Sequence, residues 1–154
     1  MKLSPAAADI ASLDGIVKAA YDVISGPAGV ARDWERFRSL YAPGARLMPV
    51  VSHQGTSPPA ANSGPKGGAT VRVLSPEEYI RRVEPIFATE SFWECETGRQ
   101  VEAIGRIAHV LSHYESRREA DGPAFETGTN SMQLFYDERR WWIVSVMWNT
   151  ARAE

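Results

Sequence analysis

The stretch Asn130–Asn149, which reads NSMQLFYDERRWWIVSVMWN, has the strongest strand pattern in this chain. Two apolar runs flank the strongly polar segment Asp137–Arg140, and aromatic and β-branched residues dominate both runs, as is typical of β-strands. Alternation along the second run predicts two apolar faces, one with Trp142, Val144, Val146 and Trp148, the other with Trp141, Ile143, Ser145 and Met147. A strand that is apolar on both faces is covered on both, so we predict a hairpin at the centre of a sheet.

Length and composition indicate one globular domain spanning residues 1–154. Hydrophobic residues make up 44% and charged residues 23%, the usual balance of a soluble chain. The net charge is −2 with no basic block, so we expect neither nucleic acid nor a membrane as partner. The single cysteine, Cys95, excludes an intramolecular disulfide. Asp9 and Asp14 interrupt any export signal, and we therefore expect a cytoplasmic protein.

Three helices are predicted in the first part of the chain. Apolar residues spaced by three and four indicate a helix over Asp9–Ser25, which Gly26 and Pro27 end. Asp33 is a suitable N-cap for a second helix, which Pro43 and Gly44 stop. Ser75-Pro76-Glu77-Glu78 has the residues of a capping box and predicts the start of a third helix.

Strands and one long connection are predicted between and after these helices. Arg46–Val51 and Thr70–Leu74 are strand-like, and the segment Ser52–Ala69 between them, rich in Gly, Pro and Ser, is expected to be a mobile loop. Ser91–Thr97 alternates like a strand. The apolar spacing of Val101–Arg118 fits a helix or a strand and leaves the two alternatives open.

The order of these elements resembles the nuclear transport factor 2-like superfamily. The phrase DWERFRSLYAPGARLMPV (33–50) is similar to that family's passage from second helix to first strand, and GTNSMQLFYDERRWWIVSVMWN (128–149) to its last two strands. The resemblance implies an α+β fold in which a curved antiparallel sheet wraps around N-terminal helices to form a cone. It also implies that Val101–Arg118 is one long curved strand, that the cone holds a pocket, and that the protein is a homodimer through the sheet.

The family includes ketosteroid isomerases, whose acid and base this chain lacks. Those members place a carboxylate base just after the passage into the first strand, where this chain has Leu47, Met48, Pro49 and Val50. Their second acid lies on the penultimate strand, where this chain offers Asn130, Ser131 and Gln133. We therefore expect no isomerase of that mechanism.

The candidate catalytic residues are His109, Glu94, Asn130 and Gln133. An imidazole titrates near neutral pH, so a pocket-facing His109 could transfer protons, although a structural, hydrogen-bonded histidine is the simpler interpretation. If Glu94 faces the interior of the cone, it could form an acid–base pair with His109 for dehydration or cyclisation. Glu94 and Glu96 lie on one face of a strand, however, and the simpler interpretation is that this face is exposed to solvent. On a strand, His109 and His113 lie ~13 Å apart and cannot share a metal, and we expect neither a metal nor another cofactor.

The expected function is therefore that of a small-molecule-binding, SnoaL-like protein. It would act as a lyase, isomerase or cyclase on an apolar or aromatic substrate. The residues expected to contact the ligand are Tyr21, Trp34, Tyr114 and Trp148. Two alternatives remain open: a non-catalytic binding or assembly module whose cone is filled by side chains, and a transport adaptor with an exposed apolar patch.

Overall fold

The computed structural model describes residues 6–53 and 68–152. In chain order the elements are α1 (Ala7–Ile10), α2 (Leu13–Asp22), α3 (Trp34–Leu40), β1 (Tyr41–His53), β2 (Gly68–Val71), α4 (Pro76–Phe87), β3 (Trp93–Ile104), β4 (Ile107–Arg117), β5 (Ala124–Tyr136) and β6 (Trp141–Arg152). Residues 54–67, most of the expected loop Ser52–Ala69, lie outside the described residues. No helix within the described ranges has the length and apolarity needed to cross a membrane.

The strands form one curved sheet in the order β2-β1-β6-β5-β4-β3. The hairpin β5–β6 is thus central, which confirms the prediction from Asn130–Asn149. All neighbouring strands are antiparallel except β1 and β6, which run parallel, so the sheet is mixed. The helices cover its concave face, and the core lies between them, where Ile16 and Phe37 pack with Val110, Leu134 and Ile143. The predicted α+β architecture is confirmed.

Side-chain caps start the helices where the sequence places them. Asp33 accepts a hydrogen bond from the Arg36 amide at 2.9 Å, and Ser75 and Glu78 form the complete capping box. The single helix predicted over Asp9–Ser25 is wrong, because it is divided at Ser12. The backbone of Ser12 is extended and its hydroxyl caps α2, a role serine fills better than a position inside a helix.

The segment Val101–Arg118 is not the one long strand that the resemblance implies. Strand β3 ends at Ile104, the chain turns through Gly105, and β4 begins at Ile107. Gly105 has φ +58°, which a tight hairpin turn requires and which glycine adopts without steric cost. The two halves pair with each other as neighbouring antiparallel strands.

A β-bulge in β6 changes which of its side chains face the core. Gln133 pairs with Ser145 and Leu134 with Ile143, so Val144 is an extra residue in β6. Ile143 and Val146 are therefore both buried although they are three residues apart. The prediction that Ile143 and Val146 lie on opposite faces of this strand is therefore wrong, because simple alternation does not allow for the bulge.

Candidate functional site

A cavity of about 300 Å³ lies between the concave face of the sheet and the helices. Eight of its lining side chains are aromatic: Tyr21, Phe37, Tyr41, Tyr79, Phe87, Phe92, Phe125 and Trp148. The polar groups in the lining are few, and Glu94, Asn130 and Glu126 come from neighbouring parts of the sheet. A mostly apolar cavity with a few polar groups is the usual form of a small-molecule site.

Strand register places two glutamates on the inner face of β3. Glu94 pairs with Ser116 and Glu96 with Tyr114, and these two partners are buried on the inner face of β4. Since directly opposed residues share a face of the sheet, Glu94 and Glu96 also point inward. The interpretation that both glutamates face solvent is therefore wrong.

The carboxyl group of Glu94 is held in its neutral form by its surroundings. Burial raises its pKa to about 8, a hydrogen bond from the Asn130 side chain lowers it, and the charge of Glu126 raises it. Glu94 is therefore mostly protonated at pH 7 and can donate a proton or a hydrogen bond. Burial also raises the pKa of Tyr41 and Tyr79, so these lining groups remain neutral phenols.

A chain of hydrogen bonds leads from Asn130 at the cavity to the protein surface. Asn130 Nδ2 donates to the Tyr21 hydroxyl at 3.0 Å, and that hydroxyl lies 2.6 Å from Ser112 Oγ. Ser112 donates to the carboxylate of Glu96, which is also bonded to Arg99 Nη2 at 2.6 Å. Tyr21 and Ser112 are buried, with exposed fractions of 6% and 0%. The polar side chains along this chain are thus satisfied inside the core.

Charged side chains also line the cavity, among them Glu90, Arg118 and Glu126. Arg118 bonds Glu90, after the end of α4, at 2.8 Å and stacks over the Phe125 ring at 4.1 Å. Among the side chains that the structure describes, none forms a hydrogen bond or an ion pair with Glu126. Glu126 lines the same cavity as Glu94.

The structure brings together four of the residues that the sequence singled out. Glu94, Asn130, Tyr21 and Trp148 all line the cavity. Their roles stay predictions, because placement in the lining tests neither binding nor catalysis.

The other four candidates lie outside the cavity lining. His109 and Gln133 pair across β4 and β5 on the outer face of the sheet, and His109 Nε2 lies 3.1 Å from Ser131 Oγ. A pocket-facing His109 is thus a wrong expectation, because Ala108 and Val110 on either side of it point inward. Trp34 packs against Phe37 and Phe87 behind the cavity wall. Tyr114 is buried, and its ring lies close to the backbone of Gly128.

Glu126 is the functional candidate that the sequence interpretation missed. It lies four residues before Asn130 on the same strand, and residues separated by an even number share a face. If Asn130 faces the pocket, strand alternation predicts that Glu126 faces it as well. In residues 6–53 and 68–152, no three His, Cys, Asp or Glu side chains are grouped to hold a metal ion.

No protein-family model and no curated protein matches the sequence. Solved structures, in contrast, match over nearly its whole length. A protein of unknown function with a cystatin-like fold from Nostoc punctiforme PCC 73102 is 11% identical, with TM-score 0.63 and coverage of 97% of this chain and 96% of its own. A proposed dehydratase of the NTF2-like family from Streptomyces avermitilis is 18% identical, with TM-score 0.58 and coverage of 94% and 97%.

A third match is a proposed ketosteroid isomerase from Shewanella frigidimarina NCIMB 400. It is 16% identical, with TM-score 0.56, and the match covers 90% of this chain and 95% of that protein. At such low identities the similarity concerns the fold alone and assigns no activity to this chain. The arrangement of this chain, with helices on the concave face of a curved six-stranded sheet, is consistent with these structural matches. The chain has the nuclear transport factor 2-like fold.

Proposed function

We propose that the protein binds a small, largely apolar, ring-bearing molecule in the cavity and catalyses its dehydration. The observation that carries this proposal is the position of Glu94 inside an aromatic-lined cavity, where burial raises its pKa to about 8. A general acid works best when its pKa is near the operating pH, and Glu94 meets that condition. The aromatic walls provide flat surfaces against which a ring can stack.

The dehydration requires one proton donor and one proton acceptor. Glu94 donates its proton to the leaving hydroxyl group, and the carboxylate of Glu126 removes a proton from the adjacent carbon. The electrons of the C–H bond form the new double bond as the C–O bond breaks, and water leaves. The proton on Glu126 then returns to Glu94 through water, which restores both groups. The name of one protein with this fold, the proposed dehydratase, supports this choice of reaction.

The proposal is tested with β-hydroxy ketones that carry an aromatic ring. Loss of water from such a compound gives a conjugated enone, whose absorbance reports the reaction directly. We expect Glu94→Gln, which keeps the shape but removes the acid, to lower the rate ~100-fold or more. Glu102→Gln, an exposed glutamate on the same strand, is the matched control and should retain the rate.

Two results would contradict the proposed reaction. Equal rates for the wild type and Glu94→Gln would remove Glu94 from the chemistry. Binding of the ring-bearing ketones without turnover would instead support a non-catalytic binding module.

We further propose that the protein forms a homodimer through the outer face of the sheet. That face carries large apolar side chains that remain exposed: Ile107, Phe135, Val144 and Met147. Such side chains on neighbouring strands form a patch of the kind that protein partners cover. A second copy of the chain would bury this surface against its equivalent.

A further inference from the structure

The hydrogen-bond chain between Glu96 and Asn130 has only one consistent direction. The Glu96 carboxyl group accepts hydrogen bonds from Arg99 and from Ser112, so the single proton of Ser112 is directed at Glu96. Ser112 then has none left, and the Tyr21 hydroxyl must donate to Ser112. Tyr21 in turn can only accept from its other neighbour, which is Nδ2 of Asn130. The charge at Glu96 therefore determines which end of the Asn130 amide faces Tyr21.

We infer that Glu96, which does not line the cavity, is a positioning residue that fixes the Asn130 amide through Ser112 and Tyr21. This inference rests on the proposed role of Glu94 as the acid. An amide held in this direction uses one N–H group for Tyr21 and has the second available for Glu94. Asn130 is thereby kept as a hydrogen-bond donor to the acid.

The same direction assigns a role to Tyr21. Its only proton is used on Ser112, away from the cavity, so it is an acceptor on the side that faces the ligand. A substrate oxygen beside Tyr21 would therefore receive its hydrogen bond from Glu94 and not from the tyrosine. The tyrosine contributes by holding Asn130 and by its ring surface.

Replacing Glu96 by glutamine should release this constraint. A glutamine amide can donate to Ser112, after which Ser112 can donate to Tyr21, and Tyr21 to the oxygen of a rotated Asn130 amide. Glu94 would then lose its N–H donor, and its pKa should rise. If Glu96 acted only through its charge, removing a negative charge would lower the pKa of Glu94. The two mechanisms thus differ in the sign of the shift.

The other titratable and charged groups near Glu94 are unchanged by this substitution. They are Tyr21 on α2, Tyr41 on β1, Tyr79 and Arg82 on α4, Glu90 after α4, Tyr114 on β4, Arg118 after β4 and Glu126 on β5. A shift measured in the variant consequently reports on Glu96 and on the chain that joins it to Asn130.

The experiment is a carbon-13 NMR titration of the Glu94 carboxyl group, assigned by its loss in Glu94→Gln. We expect Glu96→Gln to raise the pKa of Glu94 by about one unit, the effect of losing one hydrogen bond to a charged group. Ser112→Ala interrupts the same chain with a smaller change and should also raise it. In the Ser112→Ala background, Glu96→Gln should cause no further rise.

The matched control is Asp14→Asn, which removes the exposed carboxylate bonded to Arg99 but leaves Glu96 and the chain intact. It should leave the pKa of Glu94 unchanged. A fall or no change of this pKa in both Glu96→Gln and Ser112→Ala would overturn the inference. Because the titration needs no ligand, its outcome is separate from that of the dehydration assay.

Discussion

At the scale of single residues, the site depends on a carboxyl group in surroundings that oppose its ionisation. Glu94 lies among aromatic side chains with one hydrogen-bond donor, Asn130, and a second carboxylate, Glu126, nearby. Burial outweighs the hydrogen bond, so the neutral form is favoured. A group of this kind costs folding free energy at neutral pH, which is common at functional sites.

The charge of Glu126 should be measurable at Glu94. Since a nearby like charge disfavours ionisation, we expect Glu126→Gln to lower the pKa of Glu94. The carboxyl titration described above provides the measurement, with Glu102→Gln as a control that removes an exposed charge from the same strand as Glu94. An unchanged pKa in Glu126→Gln would show that the two carboxyl groups do not interact.

Gly128 on β5 gives space to the buried Tyr114. A Cβ added at Gly128 would clash with the hydroxyl oxygen and Cζ of Tyr114 and would lie 2.8 Å from the carbonyl oxygen of Asn149. We expect Gly128→Ala to lower the free energy of unfolding by about 1–3 kcal/mol in urea denaturation, the usual cost of overpacking.

Gly98→Ala is the matched control for that substitution. Gly98 also lies in a strand, and nothing lies within 4 Å of a Cβ built there. Its stability should stay close to that of the wild type. Equal losses in the two variants would point to a general effect of replacing glycine instead of a clash with Tyr114.

At the scale of the elements, the sequence predicted those with local signals and missed those decided by pairing. Asp33 and the Ser75–Glu78 capping box place helix starts, because the capping hydrogen bonds lie within a few residues. The bulge at Val144 depends on the register between β5 and β6. No local pattern shows it, and Ile143 and Trp142 were therefore placed on the wrong faces.

The candidate site shows the same division between local and long-range information. Tyr21, Glu94, Asn130 and Trp148 could be selected as residue types on predicted elements. Which face of the sheet a residue occupies depends on strand register, and the candidates His109 and Gln133 lie on the outer face, away from the cavity. Glu126, in contrast, could be predicted from alternation alone, since it lies four residues before Asn130 on β5 and shares its face.

The turn that separates β3 from β4 should be sensitive to loss of glycine. Gly105 has φ +58°, and a Cβ there would meet no other atom within 4 Å. A loss of stability in Gly105→Ala would thus come from backbone strain alone, and we expect about 1 kcal/mol in urea denaturation. An unaltered free energy of unfolding would mean that the turn adopts another conformation in solution.

At the scale of the whole molecule, the exposed apolar face of the sheet is expected to hold two copies together. Met147, which is 40% exposed, lies on this face in the central strand β6. Met147→Glu would place a charge on each copy within the proposed apolar interface. We expect the wild type to sediment as a dimer at micromolar concentration and this variant as a monomer.

Val30→Glu is the control for the assembly experiment. Val30 is 54% exposed, lies in the connection between α2 and α3, and is not part of the sheet. This variant should sediment like the wild type. A wild-type protein that is monomeric at micromolar concentration would contradict assembly through the sheet.

The central claim, that Glu94 is a neutral acid inside the cavity, has a direct test in the pH dependence of stability. Its pKa is about 8 in the folded protein against an ordinary value of 4.5, so between these values the native state binds more protons than the unfolded state. The wild type must therefore lose stability relative to Glu94→Gln as the pH rises from 5 to 8.

The measurement is the free energy of unfolding in urea for the wild type and Glu94→Gln at pH 5 and pH 8. We expect the difference between the two proteins to change by about 3 kcal/mol in favour of the variant over this range. Glu102→Gln, measured in parallel, should show no such change. A difference between wild type and Glu94→Gln that stays constant from pH 5 to pH 8 would mean that Glu94 ionises as an ordinary exposed glutamate, and would contradict the claim.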